Sequence, residues 1–161
     1  VLKHFPGHGS SLADSHLGFV DITNTWNQKE LEPYRYFIAN NSVDMIMTAH
    51  VFNQNLDKNY PATLSYNVNT NLLRNKLGFD GVIVSDDLQM SAISKHYDLK
   101  QTLTLAINSG VNMLLFANQL SKPVSLKEIV DTVYKQVLNN QISIEQIIKS
   151  NQRIDGMMSK Y

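Results

Sequence analysis

Four short apolar runs punctuate the chain: residues 1–5 (VLKHF), 44–50 (DMIMTAH), 81–87 (GVIVSDD) and 111–118 (VNMLLFAN). They are too short for ordinary helices and largely apolar, which predicts strands buried on both faces of a parallel sheet. Helical stretches with recognisable start signals separate them. Thr25 and Gln28 have capping-box spacing, with Pro33 able to open the helix proper. Ser65 can cap a helix ending near Leu77 and Gly78, Asp98 and Gln101 begin one that stops at Gly110, and Ser125 with Glu128 and Ser143 with Gln146 open two more. Strand and helix in strict alternation predict an α/β fold of parallel strands. No linker, low-complexity tract or internal sequence repeat divides the chain, and its start on Val1 and Leu2 reads as a strand met midway.

Polar residues gather where three of the strands end. Lys3, His4 and His8 lie at or just after the first, His50 closes the second, and Asp86 and Asp87 close the third. The C-terminal edge of a parallel sheet is where such folds bind substrates, so these residues are expected to share a site. The stretch KHFPGHGSSLADSH (3–16) carries three of the five histidines, and Pro6, Gly7 and Gly9 make it a loop rather than a metal-binding helix.

Each group has a chemical reading and a plainer one. A carboxylate at the mouth of a buried strand is held rigidly and suits a nucleophile or a metal ligand; of Asp86 and Asp87, one is expected to act and the other to cap the following turn. In Asp14-Ser15-His16 the carboxylate can fix one imidazole nitrogen and leave the other to move a proton, though two exposed loop residues would look the same. Lys3 and His4 can donate hydrogen bonds to hydroxyls or phosphate, or His4 can be a satisfied core residue. His50 reads as support, His8 as a loop-shaping residue, and Met90 is noted for its nearness to Asp86. His4, His50 and Asp86 on successive strand ends also admit a metal-dependent hydrolase, which the lysine before His4 and the lack of an H-x-H pair disfavour.

Composition narrows the partners. Of 161 residues 43% are hydrophobic, enough for one domain core, and fourteen basic residues balance fourteen acidic ones, which disfavours nucleic acid and anionic membranes. There is no cysteine, and no run approaches the roughly 18 to 20 apolar residues of a membrane span.

KHFPGHG, DSH, MTAHV, YPATLS and LGFDGVIVSDDLQM, in that order, resemble the catalytic domain of glycoside hydrolase family 3, in its β-N-acetylglucosaminidase (β-hexosaminidase) branch. The tail EIVDTVYKQVLNNQISIEQIIKSNQRI resembles the helices that close those barrels, while Ser10 and Ser11 stand where some members have Asp-Thr. The resemblance implies the C-terminal half of a (β/α)8 TIM barrel, about strands five to eight, with residues 1–161 forming a fragment of the catalytic domain. It also implies retaining hydrolysis of β-linked N-acetylglucosamine, typically from cell-wall fragments. On it Asp86 matches the nucleophile, His16 the acid/base and Asp14 its partner, Lys3 and His4 bind sugar, and Met90 lines the site. No metal or cofactor is expected. A half-barrel on its own is expected to be inactive and to self-associate through its open edges.

Overall fold

The computed structural model describes residues 1–11, 20–119 and 122–161. In chain order the elements are β1 (Leu2–Phe5), β2 (Val20–Asp21), α1 (Glu32–Ala39), β3 (Met45–Thr48), β4 (Val51–Phe52), β5 (Val82–Asp87), α2 (Ser91–Ser94), α3 (Leu99–Ser109), β6 (Met113–Leu115), α4 (Leu126–Leu138) and α5 (Ile144–Met158). The four expected strands form one parallel sheet in the order β1-β3-β5-β6, the arrangement of half a (β/α)8 barrel. Ile46 pairs with Leu2 on one side and Ile83 on the other, and Val84 pairs with Met47 and Met113.

Burial departs from the expectation in an orderly way. Ile46 and Ile83 are fully buried in a core that also holds Phe5, Leu73, Ala106 and Val111, but Met45 and Met47 on the alternate face of β3 are only half-buried. Successive side chains of a strand face opposite ways, so helices cover one face and the other is left partly open. Leu115 at the β6 edge and Leu126, Val130, Tyr134 and Leu138 on α4 are exposed apolar residues.

Two strands are shorter than their apolar runs, β6 because side chains take over part of the ladder and β3 because the chain turns away. Beside β6, Asn112 Oδ1 accepts from Ile83 N at 2.9 Å, and Ser85 Oγ accepts from Leu115 N at 2.9 Å. After β3, Ala49 N still donates to Phe5 O at 2.7 Å, and the chain then turns into β4, which pairs in parallel with β2. That small second sheet was not expected from the sequence, since two-residue strands leave no hydrophobic period to read.

Most helix starts are as the sequence predicts. Asp98 and Gln101 form a reciprocal capping box on α3, and Gly110 ends it with φ 105°. Ser125 and Ser143 cap α4 and α5. Ser65 Oγ accepts from Val68 N at 3.0 Å, but the helix that follows winds as a π-helix over Asn67–Lys76. The Thr25–Gln28 expectation fails: Asn27 is the cap, accepting from Lys29 N at 2.9 Å, and a 3-10 turn (Gln28–Leu31) precedes α1. Thr25 is instead held in a turn by its own N–H, which donates to Ile22 O.

A cation ties the N-terminal end of the sheet together. The Arg74 guanidinium donates to Phe79 O at 2.9 Å, to Gly81 O and to Asn112 Oδ1 at 2.6 Å, and stands 5.4 Å from the Phe79 ring centroid. Asn112 in turn donates to Ser150 on α5 at 3.0 Å. Burial pulls Arg74 down to a pKa of about 10, so it stays charged at neutral pH.

Candidate active site

Parallel strands deliver the ends of β1, β3 and β5 to one edge, and there His4, His50, Asp86 and Asp87 come together. His4 Nε2 lies 3.8 Å from Asp86 Oδ2, with their side chains 30% and 21% exposed, so both are reachable from outside. The His8 ring stands edge-on to His4, with centroids 6.2 Å apart.

The two aspartates are not equivalent. Asp86 Oδ1 accepts from the backbone N–H of Asp87 at 2.8 Å, which holds one oxygen and leaves the carboxylate at the open side. Asp87 is buried at 6% exposure, and its Oδ1 accepts from Gln89 N at 3.1 Å and Ala117 N at 3.3 Å. It ties the turn after β5 to the chain after β6. Its Oδ2 has no hydrogen-bond partner among the described residues.

His50, at 1% exposure, is enclosed among polar partners from three segments. Its Nε2 is 2.8 Å from Asp87 O and its Nδ1 is 2.8 Å from Thr63 Oγ1, which lies 2.9 Å from both Thr48 Oγ1 and Ala49 O. Burial, outweighing its bond to Asp87 O and the charges of Asp86 and Asp87, pushes the imidazole below its ordinary pKa. The ring is therefore neutral at pH 7. A carbonyl only accepts, so Nε2 carries the proton and Nδ1, unprotonated, faces the Thr63 hydroxyl, whose one proton has both Ala49 O and Nδ1 within reach. With both ring nitrogens engaged, His50 is not available as a metal ligand. Among the described residues no group of three or more His, Asp or Glu side chains could hold a metal ion.

The other expected site residues lie further from this pair. Lys3 is exposed and borders an open cleft between β1 and α1 with His8, Gly9, Glu30 and Tyr34. Met90 is buried at 2% exposure; its N–H donates to Asp87 O at 3.0 Å, and it precedes α2. Asp14 and His16 lie outside the described residues.

Sequence reading missed Glu30, Thr48 and Thr63. Glu30 fastens the root of the histidine loop: its Oε2 accepts from Gly9 N at 3.2 Å, and Ser10 Oγ donates to its Oε1. Trp26 Nε1 adds a bond to Pro6 O at 2.9 Å. Gly7 is required there, with φ 122° and space that would put a Cβ 2.5 Å from Glu30 Oε2. The signal for Thr63 was present in the YPATLS stretch, but a threonine beside a turn has no distinctive pattern.

Comparison with known proteins agrees in direction. The glycosyl hydrolase family 3 N terminal domain matches residues 1–157. Beta-hexosaminidase A of Pseudoalteromonas piscicida is 32% identical over 177 aligned positions, covering 99% of this chain and 30% of that protein. A glycoside hydrolase family 3 β-N-acetylglucosaminidase from Paenibacillus sp. str. FPU-7 superimposes with a TM-score of 0.86 at 36% identity, over 98% of this chain and 30% of that one. Zinc-bound CbsA from Thermotoga neapolitana superimposes with a TM-score of 0.89 at 30% identity, over 98% of this chain and 35% of that one. The chain thus spans about a third of the length of the relatives it matches.

Proposed function

Since the chain belongs to glycosyl hydrolase family 3, we propose that it supplies the nucleophile-bearing part of a retaining β-N-acetylglucosaminidase, with Asp86 as nucleophile and His16 as acid/base. The observation that supports this best is the asymmetry of the aspartates: Asp86 is open, anchored by one oxygen and faced by His4, whereas Asp87 is buried. In the first step Asp86 attacks the anomeric carbon while imidazolium His16 gives its proton to the departing glycosidic oxygen, forming a glycosyl ester on Asp86. Neutral His16 then takes a proton from water, whose oxygen attacks the same carbon and frees Asp86, giving N-acetylglucosamine of retained configuration. Asp14 is assigned to the other imidazole nitrogen and Lys3 and His4 to the sugar, while Met90, buried at 2% exposure, backs the site behind the turn after β5.

Cell-wall fragments are the proposed substrate class, on the resemblance to this branch. The test is hydrolysis of 4-nitrophenyl N-acetyl-β-D-glucosaminide by the longest natural chain that carries these residues. Asp86→Ala should abolish turnover while Asp87→Ala retains a measurable part of it; the reverse order would defeat the assignment.

The open edges at β1 and β6 and the apolar α4 residues favour a second reading for the 161-residue chain alone. It is inactive and pairs with a second copy, covering surface that single domains rarely leave bare. Light scattering coupled to size exclusion, run beside the chromogenic assay, would refute this by returning an active monomer.

A further inference from the structure

We propose that His50 is a positioning residue for the nucleophile, holding the backbone of Asp87 so that the Asp87 N–H presents the Asp86 carboxylate in its attacking orientation. The inference rests on the reading of Asp86 as nucleophile and adds to it the means by which that carboxylate is aimed.

Asp87 is bracketed on both sides of its α-carbon. Its carbonyl oxygen lies 2.8 Å from His50 Nε2 and accepts from Met90 N at 3.0 Å, which occupies both of its lone pairs. Its N–H donates to Asp86 Oδ1 at 2.8 Å. The carbonyl lies in the next peptide plane, held there also by Leu88 N donating to Leu115 O, and the Asp87 side chain is pinned by Gln89 N and Ala117 N. With both of these bonds of the α-carbon held, the position of its nitrogen, and so the place from which the N–H reaches Asp86, is set. Asp86 then keeps Oδ1 at the backbone and Oδ2 on the side of His4.

The direction of the His50 ring is itself set from two other segments. Thr63 Oγ1 lies 2.8 Å from Nδ1 and is itself held by Thr48 Oγ1 and Ala49 O, each at 2.9 Å, so the ring is gripped from β3 and from the turn after Pro61, while the Asp87 carbonyl, an acceptor only, sets the ring proton on Nε2. Thr48 and Thr63 are both fully buried. An apolar side chain would fill this space at a lower desolvation cost if packing alone were required. A connected polar network ending on the backbone beside a nucleophile instead fixes geometry, and a misplacement of about 1 Å can cost on the order of 100-fold in rate.

Steady-state kinetics on the same chromogenic glucosaminide tests this in the longest natural chain carrying these residues. His50→Leu should lower kcat about 30- to 100-fold with KM changed less than about threefold. His50→Gln, whose Nε2 can donate along the same line, should recover kcat to within about fivefold of wild type. Thr63→Val keeps the shape and removes the hydroxyl, and should lower kcat about three- to tenfold; this variant keeps the idea testable if His50→Leu does not fold. In the 161-residue chain, amide exchange at Asp87 should quicken in His50→Leu relative to that at Ile83. Thr63→Val within twofold of wild type in kcat, or His50→Gln no better than a folded His50→Leu, would overturn the proposal. If Asp86→Ala retained its turnover, the nucleophile assignment itself would fall; an inactive Asp86→Ala beside a normal Thr63→Val would defeat only the role of His50.

Discussion

Replacing each of the adjacent aspartates with alanine should separate stability from activity. Asp87→Ala deletes the acceptor of Gln89 N and Ala117 N, bonds of 3.1 and 3.3 Å. Gln89 is buried at 5% exposure, so its N–H is left without a partner, at a cost of about 1–3 kcal/mol. Ala117 is exposed and its N–H can turn to water, adding only a few tenths of a kcal/mol. A total of about 2 kcal/mol is expected, partly offset because the Asp87 Oδ2 atom, buried without a partner among the described residues, no longer has to be desolvated. Asp86→Ala removes an acceptor from one half-open N–H and should cost about 0–1 kcal/mol. Urea unfolding of the 161-residue chain measures both, and an Asp87→Ala midpoint equal to that of wild type, or an Asp86→Ala loss above about 2 kcal/mol, would refute the reasoning. Asp87→Asn keeps an oxygen for both amides and should fall between wild type and Asp87→Ala.

His16→Ala should slow substrates with poor leaving groups far more than activated aryl glycosides, and Asp14→Ala should show a weaker form of the same split; equal losses on both would argue against His16 as the acid. The buried His50 holds a proton less well folded than unfolded, so stability is fully present above the ordinary histidine pKa of about 6.5 and declines as pH falls below it. His50→Gln should flatten that part of a plot of unfolding free energy against pH. Gly7→Ala should detach the loop root from Glu30, costing about 1–3 kcal/mol in chemical denaturation for backbone strain at φ 122°. Gly156→Ala, in open space within α5, should instead stabilise by up to about 1 kcal/mol.

The main sheet was legible because a strand buried by helices must be apolar and its length is bounded by turn residues, so VIVSDD and MIMT were found close to their true limits. Helix starts with a reciprocal partner, such as Asp98 with Gln101, were equally plain. Thr25 misled because the same spacing can be used by a turn, and Asn27 competes for the cap two residues on. At the candidate site, strand ends identified His4, His50 and Asp86 as neighbours, since topology alone delivers them to one edge. The contacts of Thr63 and Glu30 were invisible for the opposite reason: they depend on segments thirteen or more residues away meeting at hydrogen-bonding distance, and no local period records that.

Arg74 gives the molecule a division of labour. Its guanidinium gathers the π-helix, the approaches to β5 and β6 and, through Asn112, α5, all at the end of the sheet away from His4 and Asp86. Strength is thus concentrated at one pole and chemistry at the other. An engineer could vary the loops at the chemical pole, leaving Asp14, His16, Asp86 and the His50 network in place, to change what the site binds while the opposite pole keeps the strands in register. The same separation leaves room for natural variants to drift in specificity, provided that the Arg74 clasp is left alone.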